Sequence, residues 1–230
     1  MERAVEKYLV QIPVKKISER LSEKNTREFV DTTLLDIAIK KALEIFPAKV
    51  VYLNTDCKKA QAIASKYGIC IYERNIDLCN NNVTLDTFTY DFLEQHPCEN
   101  VILINTISPL LEVETLQSMI EHFESKDELS SLISGNKFLL HGFMESQAIN
   151  FKNTGSIPTT QNLKDIEFCN WGYGIWNSEV FRSNFKLDQR SVLCDGFEIF
   201  DCPSLNSIKI STEKDFKEAE EIYRFLSSRA

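Results

Sequence analysis

A chain of 230 residues with 43% hydrophobic and 26% charged residues has the length and apolar content for one domain with a sizeable core. Its net charge of −8 and pI near 5.1 argue against nucleic acid as a partner, and no apolar run approaches the roughly 20 residues that a bilayer-crossing helix needs. Cys57, Cys70, Cys79, Cys98, Cys169, Cys194 and Cys202 never fall in Cys-x-x-Cys spacing, and His96, His122 and His141 lack ligand spacing. The expectation is a cytoplasmic chain with reduced thiols, no zinc, no nucleic acid and no membrane, since the first residues also lack an apolar signal region.

In chain order, the first element is a short apolar strand ending at Val14, which runs into Lys15, Lys16, Ser18, Arg20, Ser22, Lys24, Asn25 and Arg27. A helix over 33–46 follows, with Leu35, Ile39, Ala42 and Phe46 on one face and Thr33 with Asp36 as a capping-box start. Strand, basic loop and helix in that order suit an anion, because Lys and Arg side chains and free backbone N–H groups converge at the turn. A solvated surface run is the structural alternative.

Residues 49–54 read as a buried parallel strand, and Thr55 and Asp56 as the caps of a helix through Lys66 that Gly68 stops. A strand over 69–72, a helix over 84–96 with Leu85, Phe88, Phe92 and Leu93 on one face, and a buried strand over 101–104 continue the alternation. That pattern specifies an α/β sandwich of three layers around a mostly parallel sheet. The strand at Ile104 empties into Asn105-Thr106-Ile107-Ser108-Pro109-Leu110 before a helix over 112–123, and loops at such strand ends hold ligands.

From 134 to 167 the periodicity fades and polar residues dominate, Gln161 among them, which fits either a linker or an extension. Cys169 to Trp176 reads as a returning strand, with Trp171, Tyr173 and Trp176 as pocket walls or core, and 178–182 as a short helix. The last elements are a short strand over 207–211 and a capped helix offering Phe216, Ala219, Ile222, Tyr223 and Leu226 for packing.

The order Pro13, Lys15, Ser18, Arg20, Lys24-Asn25 resembles the opening signature of the CMP-acylneuraminate synthetases and related sugar-acid cytidylyltransferases. Lys15 stands where that family has Arg, Glu19 where it usually has Lys, Ile17 near a frequent Gly and Ser22 where Pro is common. Asn54-Thr55-Asp56, the segment from Tyr67-Gly68 to Arg74, Ser108-Pro109-Leu110 and the segment from Ser207 to Phe216 resemble further family motifs in the same order. Asn105 replaces a family Gln, Leu111 an Arg and Asn81 an Asp.

The resemblance implies a single domain of the nucleotide-diphospho-sugar transferase type over 1–230, with 134–170 as an extension for sugar binding or dimerisation. It also implies transfer of CMP from CTP to a sugar acid, Mg2+ as cofactor and a homodimer. Lys15 and Lys24 would be catalytic, and Lys15, Ser18, Arg20, Lys24, Asn25, Asn81, Asn105 and Ser108 would bind the nucleotide. Arg74 and Gln161 would bind the acceptor. The family's two metal-binding aspartates correspond to Lys209 and Ser211, so two functions stay open: a nucleotidyltransferase of altered site chemistry, and a binder of nucleotide or protein without catalysis. No Gly-x-Gly-x-x-Gly, Asp-x-Asp or Gly-x-Ser-x-Gly supports a dehydrogenase, a metal-dependent glycosyltransferase or an elbow hydrolase.

Overall fold

The first strand, β1 (Glu6–Val14), lies near the middle of a seven-stranded sheet and is buried along most of its length. The computed structural model describes residues 5–18, 20–203 and 208–228; Glu19 and Ser207, both singled out above, lie outside them. β1 pairs in parallel with β4 (Val51–Thr55) on one side and with β6 (Cys98–Ile104) on the other, and β4 pairs in parallel with β5 (Cys70–Glu73). The other half holds β7 (Ser131–Phe138), β10 (Ile166–Asn177) and β11 (Phe197–Asp201), giving the order β11-β7-β10-β6-β1-β4-β5. Within this sheet, among the described residues, β10 alone runs antiparallel to its neighbours.

Helices cover both faces, as a sheet buried on two sides requires. α1 (Leu34–Ile45), α2 (Lys58–Ser65) and α4 (Val113–Glu124) pack Leu35, Ile39, Ile63, Leu116 and Met119 against Val10, Ile12, Leu53 and Ile102. α3 (Leu85–Gln95) and α5 (Ser178–Asp188) close the opposite face with Phe92, Leu93 and Phe181 over Leu9, Val101, Leu103 and Trp176. A smaller core joins α6 (Glu213–Ser227) to the hairpin of β2 (Glu28–Phe29) and β3 (Thr32–Thr33), where Phe29 meets Phe216 edge-on at 5.2 Å. No helix among the described residues is long and apolar enough to cross a membrane.

Several local readings change. Cys57 occupies the N-cap of α2, while the Thr55 hydroxyl accepts from the Cys57 N–H and Asp56 is engaged elsewhere. At α1 the Thr33 hydroxyl accepts from Asp36 N–H, but the Asp36 carboxylate accepts from that hydroxyl rather than from the Thr33 backbone N–H; a complete capping box is formed by Thr212 with Asp215 on α6. α5 runs to Asp188, and residues 208–211 are not a strand, though Ile210 N–H donates to Ile107 O at 2.8 Å.

The polar stretch is neither linker nor wholly extension. Residues 131–138 form a buried strand whose polar groups are all paired internally: Ser131 Oγ donates to Val192 O, Ser134 Oγ to Asn170 Oδ1 and Asn136 Nδ2 to Cys202 O. Only 139–165 leave the sheet. They hold the hairpin β8 (Phe143–Met144) and β9 (Gln147–Ala148), closed by Asn150, whose amide group accepts from Gly142 N and donates to Leu140 O and Lys164 O.

One buried cation braces the loop after β6. Lys41, on α1, donates to Pro109 O at 2.7 Å, and burial pushes its ammonium from the ordinary 10.5 down to about 7. Since the unfolded chain keeps that proton to higher pH, unfolding takes up protons between about 7 and 10.5, and stability attributable to Lys41 rises with pH across that window. Below it, the charged group is a cost. Lys41→Met is therefore expected to flatten the pH dependence of stability by roughly 1.4 kcal/mol per pH unit inside the window, read by urea denaturation at pH 7, 8, 9 and 10. Identical slopes in the two proteins would refute the assignment.

Candidate functional site

The loop between β1 and β2 is fixed from its backbone. Lys16 N–H donates to Asp56 Oδ1 at 2.7 Å, buried Leu21 anchors the middle, and Glu23, at φ 49°, turns the chain so that Thr26 and Arg27 N–H both reach Glu23 O. Asn25 then bridges two elements: its carbonyl accepts from Leu35 N–H, and its side-chain oxygen accepts from the Thr106 hydroxyl at 2.8 Å. Arg27 is spent on structure, forked on Glu213 at 2.9 and 3.0 Å and stacked 3.7 Å from the Phe216 ring centroid.

Where β1, β4, β5 and β6 end, two adjoining cavities open. The larger, of about 390 Å³, is lined by Lys15, Ser18, Arg20, Lys24, Asn25, Arg74, Asn81, Phe88, Asn105, Thr106 and Ser211 among others. The second, of about 330 Å³, shares Pro13, Arg20, Lys24, Phe88, Asn105, Ile107 and Ser211, and adds Leu85, Trp171, Lys209 and Ile210. A third hollow of about 200 Å³ lies behind the loop, against Asp56 and the start of α2. The predicted residues thus converge, with two exceptions. Ser108 points away into the packing beneath β10, its hydroxyl without a partner among the described residues, and Gln161 lies on an exposed turn of the excursion. Trp176 and Tyr173 are core, and Trp171 is the one of these three aromatics that lines either of the two joined cavities.

Trp171 does so because β10 carries an irregularity between Cys169 and Gly174, with Trp171 at φ 62°. Asn170 Oδ1 accepts from Ser134 Oγ and from Gly172 N–H, which holds the bulge closed. Gly172 must lack a side chain there, since a Cβ would collide with Leu111, and its carbonyl takes the Asn105 N–H at 2.8 Å. Phe88, read above as part of a packing face, instead lines both cavities and stacks beneath Arg74 at 4.4 Å, while Phe92 and Leu93 are core.

Behind the first cavity runs a buried polar chain. Arg74 donates from Nε to Asn54 Oδ1 at 2.7 Å and from Nη2 to Asn54 O at 2.9 Å. Asn54 Nδ2 donates to Gln11 Oε1 at 2.8 Å, and Gln11 Nε2 donates to the Thr89 hydroxyl at 2.8 Å. Arg74 is 3% exposed, so a surface ion pair is excluded, and burial pushes its pKa down from the ordinary arginine value. Its hydrogen-bond partners are neutral, and the charges of Asp56 and Asp91 offset only part of the effect of burial.

Lys15 donates to Asn81 Oδ1 at 2.9 Å, and Lys24 to Ile210 O at 3.2 Å. Burial, then the charges of Arg20, Lys209 and Lys15, push Lys24 down to about 8, with Asp215 opposing. Mg2+ does not fit this donor set. Lys209 offers an ammonium, Ser211 a neutral hydroxyl, and Asp215 Oδ2 accepts from Ser211 N and Thr212 N at 2.8 Å. Among the described residues no group of three or more His, Cys, Asp or Glu side chains is placed to hold a metal.

A family described as Cytidylyltransferase matches residues 10–179. No curated protein matches the chain. Among solved structures, CMP:2-keto-3-deoxy-manno-octonic acid synthetase complexed with CTP aligns over 95% of this chain and 98% of its own, at 14% identity and TM-score 0.67. A cytidylyltransferase from Leptospira borgpetersenii aligns over 96% and 87%, at 15% and 0.63. The 4-diphosphocytidyl-2C-methyl-D-erythritol synthase from Anaerococcus prevotii aligns over 94% and 96%, at 13% and 0.66. At these identities the likeness establishes a shared fold.

The buried chain behind Arg74 makes a direct prediction. Asn54→Ala removes one bond to a buried guanidinium and strands the Gln11 carbonyl, at a cost of about 2–4 kcal/mol, measured by chemical denaturation. A loss well under 1 kcal/mol would mean that water replaces Asn54 freely.

Proposed function

Because this chain belongs to the cytidylyltransferase family, we propose that it transfers CMP from CTP to the hydroxyl of a sugar acid of the nonulosonate type, releasing pyrophosphate. The observation that carries this reading is the pair of cavities meeting at Arg20, Lys24, Asn105 and Ser211. A nucleotide in the first would have its phosphates at the junction. An acceptor in the second would meet Lys209 and the apolar wall of Leu85, Ile107 and Trp171, which suits a carboxylate on a ring with one apolar face.

In the reaction, the acceptor oxygen bonds to the α-phosphorus as the bond to the bridging oxygen breaks and the hydroxyl proton is released. Lys15 and Lys24 would stabilise charge at the α-phosphate, and Arg20 would hold the outgoing phosphates with them. Ser18, Asn25, Asn81 and Asn105 would hydrogen-bond the nucleotide, and Arg74 would stand at the nucleoside end. Ser108 and Gln161 are left out of these roles. Replacement of the metal-binding positions by Lys209 and Ser211 favours a second reading, a nucleotide binder without turnover.

Pyrophosphate release measured with each nucleoside triphosphate against a panel of sugar acids decides between them: release with CTP and an acid acceptor is expected, and binding of CTP without release would select the second reading. Lys24→Ala is expected to weaken CTP binding by about 1.5–3 kcal/mol by calorimetry. An unchanged affinity in the folded variant would remove the loop from the site.

We propose a homodimer formed through the excursion. Phe143, Met144 and Ile157 there are exposed, at 56%, 66% and 75%, as is Phe168 beside it, and such apolar area supports association. Sedimentation at micromolar concentration should give a dimer, and Phe143→Asp with Met144→Asp should shift it to monomer. Wild-type monomer throughout would count against it.

A further inference from the structure

We propose that the Lys209 ammonium takes the place of a divalent cation in this cleft, so that a nucleotide triphosphate is bound by protein cations alone; the inference rests on the reading of the cleft as a nucleotide site. The lining of the two joined cavities supplies Lys15, Arg20, Lys24, Arg74 and Lys209, and the described residues lining them include neither Asp nor Glu. A hard divalent ion draws its ligands from carboxylate and other oxygens, and a site built for one would place acids here.

Asp56 and Asp215, whose charges act on Arg74 and Lys24, are engaged by backbone. Asp56 accepts Lys16 N–H at 2.7 Å and faces the hollow behind the loop, and Asp215 closes the capping box of α6. Each shapes a turn that delivers cations. Asp56 fixes the backbone beside Lys15, while Asp215 fixes Ser211, two residues after Lys209.

Lys209 is held in place through its chain neighbour. Ile210 is fully buried, its N–H donates to Ile107 O at 2.8 Å, and its carbonyl accepts from Lys24 Nζ at 3.2 Å. The backbone at 210 is therefore clipped between the loop after β6 and the second lysine of the cradle, leaving Lys209 exposed at the cavity rim. Among the described residues no carboxylate forms an ion pair with it. Its charge reaches Lys24 closely enough to depress the Lys24 pKa, so the two ammoniums share one patch of space. Like charges gathered with only Asp215 opposing them at Lys24 repel one another until a polyanion enters. An ammonium supplies charge and up to three donors to phosphoryl oxygens, which is sufficient for binding.

Calorimetric titration of the full chain with CTP, in EDTA and in excess Mg2+, tests this. The wild-type dissociation constants are expected to agree within about threefold. Lys209→Ala is expected to bind about tenfold or more weakly in EDTA with its unfolding temperature unchanged, since the side chain is exposed, and Lys209→Arg to retain most of the affinity. Lys209→Asp with Ser211→Asp should reverse the pattern, binding CTP weakly in EDTA and recovering with Mg2+. Wild-type affinity that falls about tenfold in EDTA, or Lys209→Ala that binds as the wild type does, overturns the proposal. Inorganic triphosphate separates it from the cytidylyl reading. Metal-free, Lys209-dependent binding of that anion by a chain with no preference for CTP among nucleotides upholds the cradle and removes the cytidylyl reading, and failure to bind either anion overturns the cradle.

Discussion

Positive charge gathered in excess of the nearby counter-charge is the constraint around which this cleft is arranged. Lys15, Arg20, Lys24, Arg74 and Lys209 face joined cavities in a chain whose net charge is −8, and their fixed partners are neutral: Asn81 for Lys15, the Ile210 carbonyl for Lys24, Asn54 for Arg74. A carbonyl or amide oxygen orients a cation without neutralising it, so the field stays available to a ligand. The contrast is Arg27. It belongs to the same stretch of sequence, yet Glu213 and Phe216 consume it, and it lies outside the cavities.

Keeping such charges in place needs a stiff frame, and the parallel sheet provides it. Pro13 pairs with Asn54 across β1 and β4, so the loop bearing Lys15 and the amide that holds Arg74 issue from adjacent strand ends. Behind them Gln11 and Thr89 complete the buried hydrogen bonds, tying the sheet to α3. On the far side, Lys41 braces the carbonyls of Ser108 and Pro109 while the bulge at Gly172 seats Asn105. The loop after β6 is thereby held from both faces, which makes it a wall of fixed shape.

The half of the sheet built from β1, β4, β5 and β6 was legible because its residues follow the rules that sequence patterns encode. Val50-Val51-Tyr52-Leu53 and Val101-Ile102-Leu103-Ile104 are continuous apolar runs, as doubly covered strands must be. β7 is hard to read from sequence because Ser134, Gly135 and Asn136 look like a loop; Ser131, Ser134 and Asn136 are buried nonetheless because Val192, Asn170 and Cys202 satisfy them, and those partners are distant in sequence. The basic loop was legible by composition and order. Its members divide between ligand-facing and structural only in three dimensions, and Phe88 could be distinguished from Phe92 only by knowing that Arg74 lies above it. Ser108 shows the reverse failure, since a motif in the right place carries a side chain that turns inward.

Two features of the junction bear on how the two cavities work together. Arg20, Lys24 and Ser211 belong to both, so an anion at their boundary is reached from either side by the same cations. The Lys24 ammonium is pushed down to about 8 by burial and by its cationic neighbours. Negative charge brought beside it would stabilise its protonated form, on a loop that Asp56, Thr106 and Ile107 hold in place. The free site therefore holds electrostatic strain that binding relieves. A cleft of this kind gains affinity for an anion from its own repulsion, while Asp56 and Asp215 serve as turn and cap.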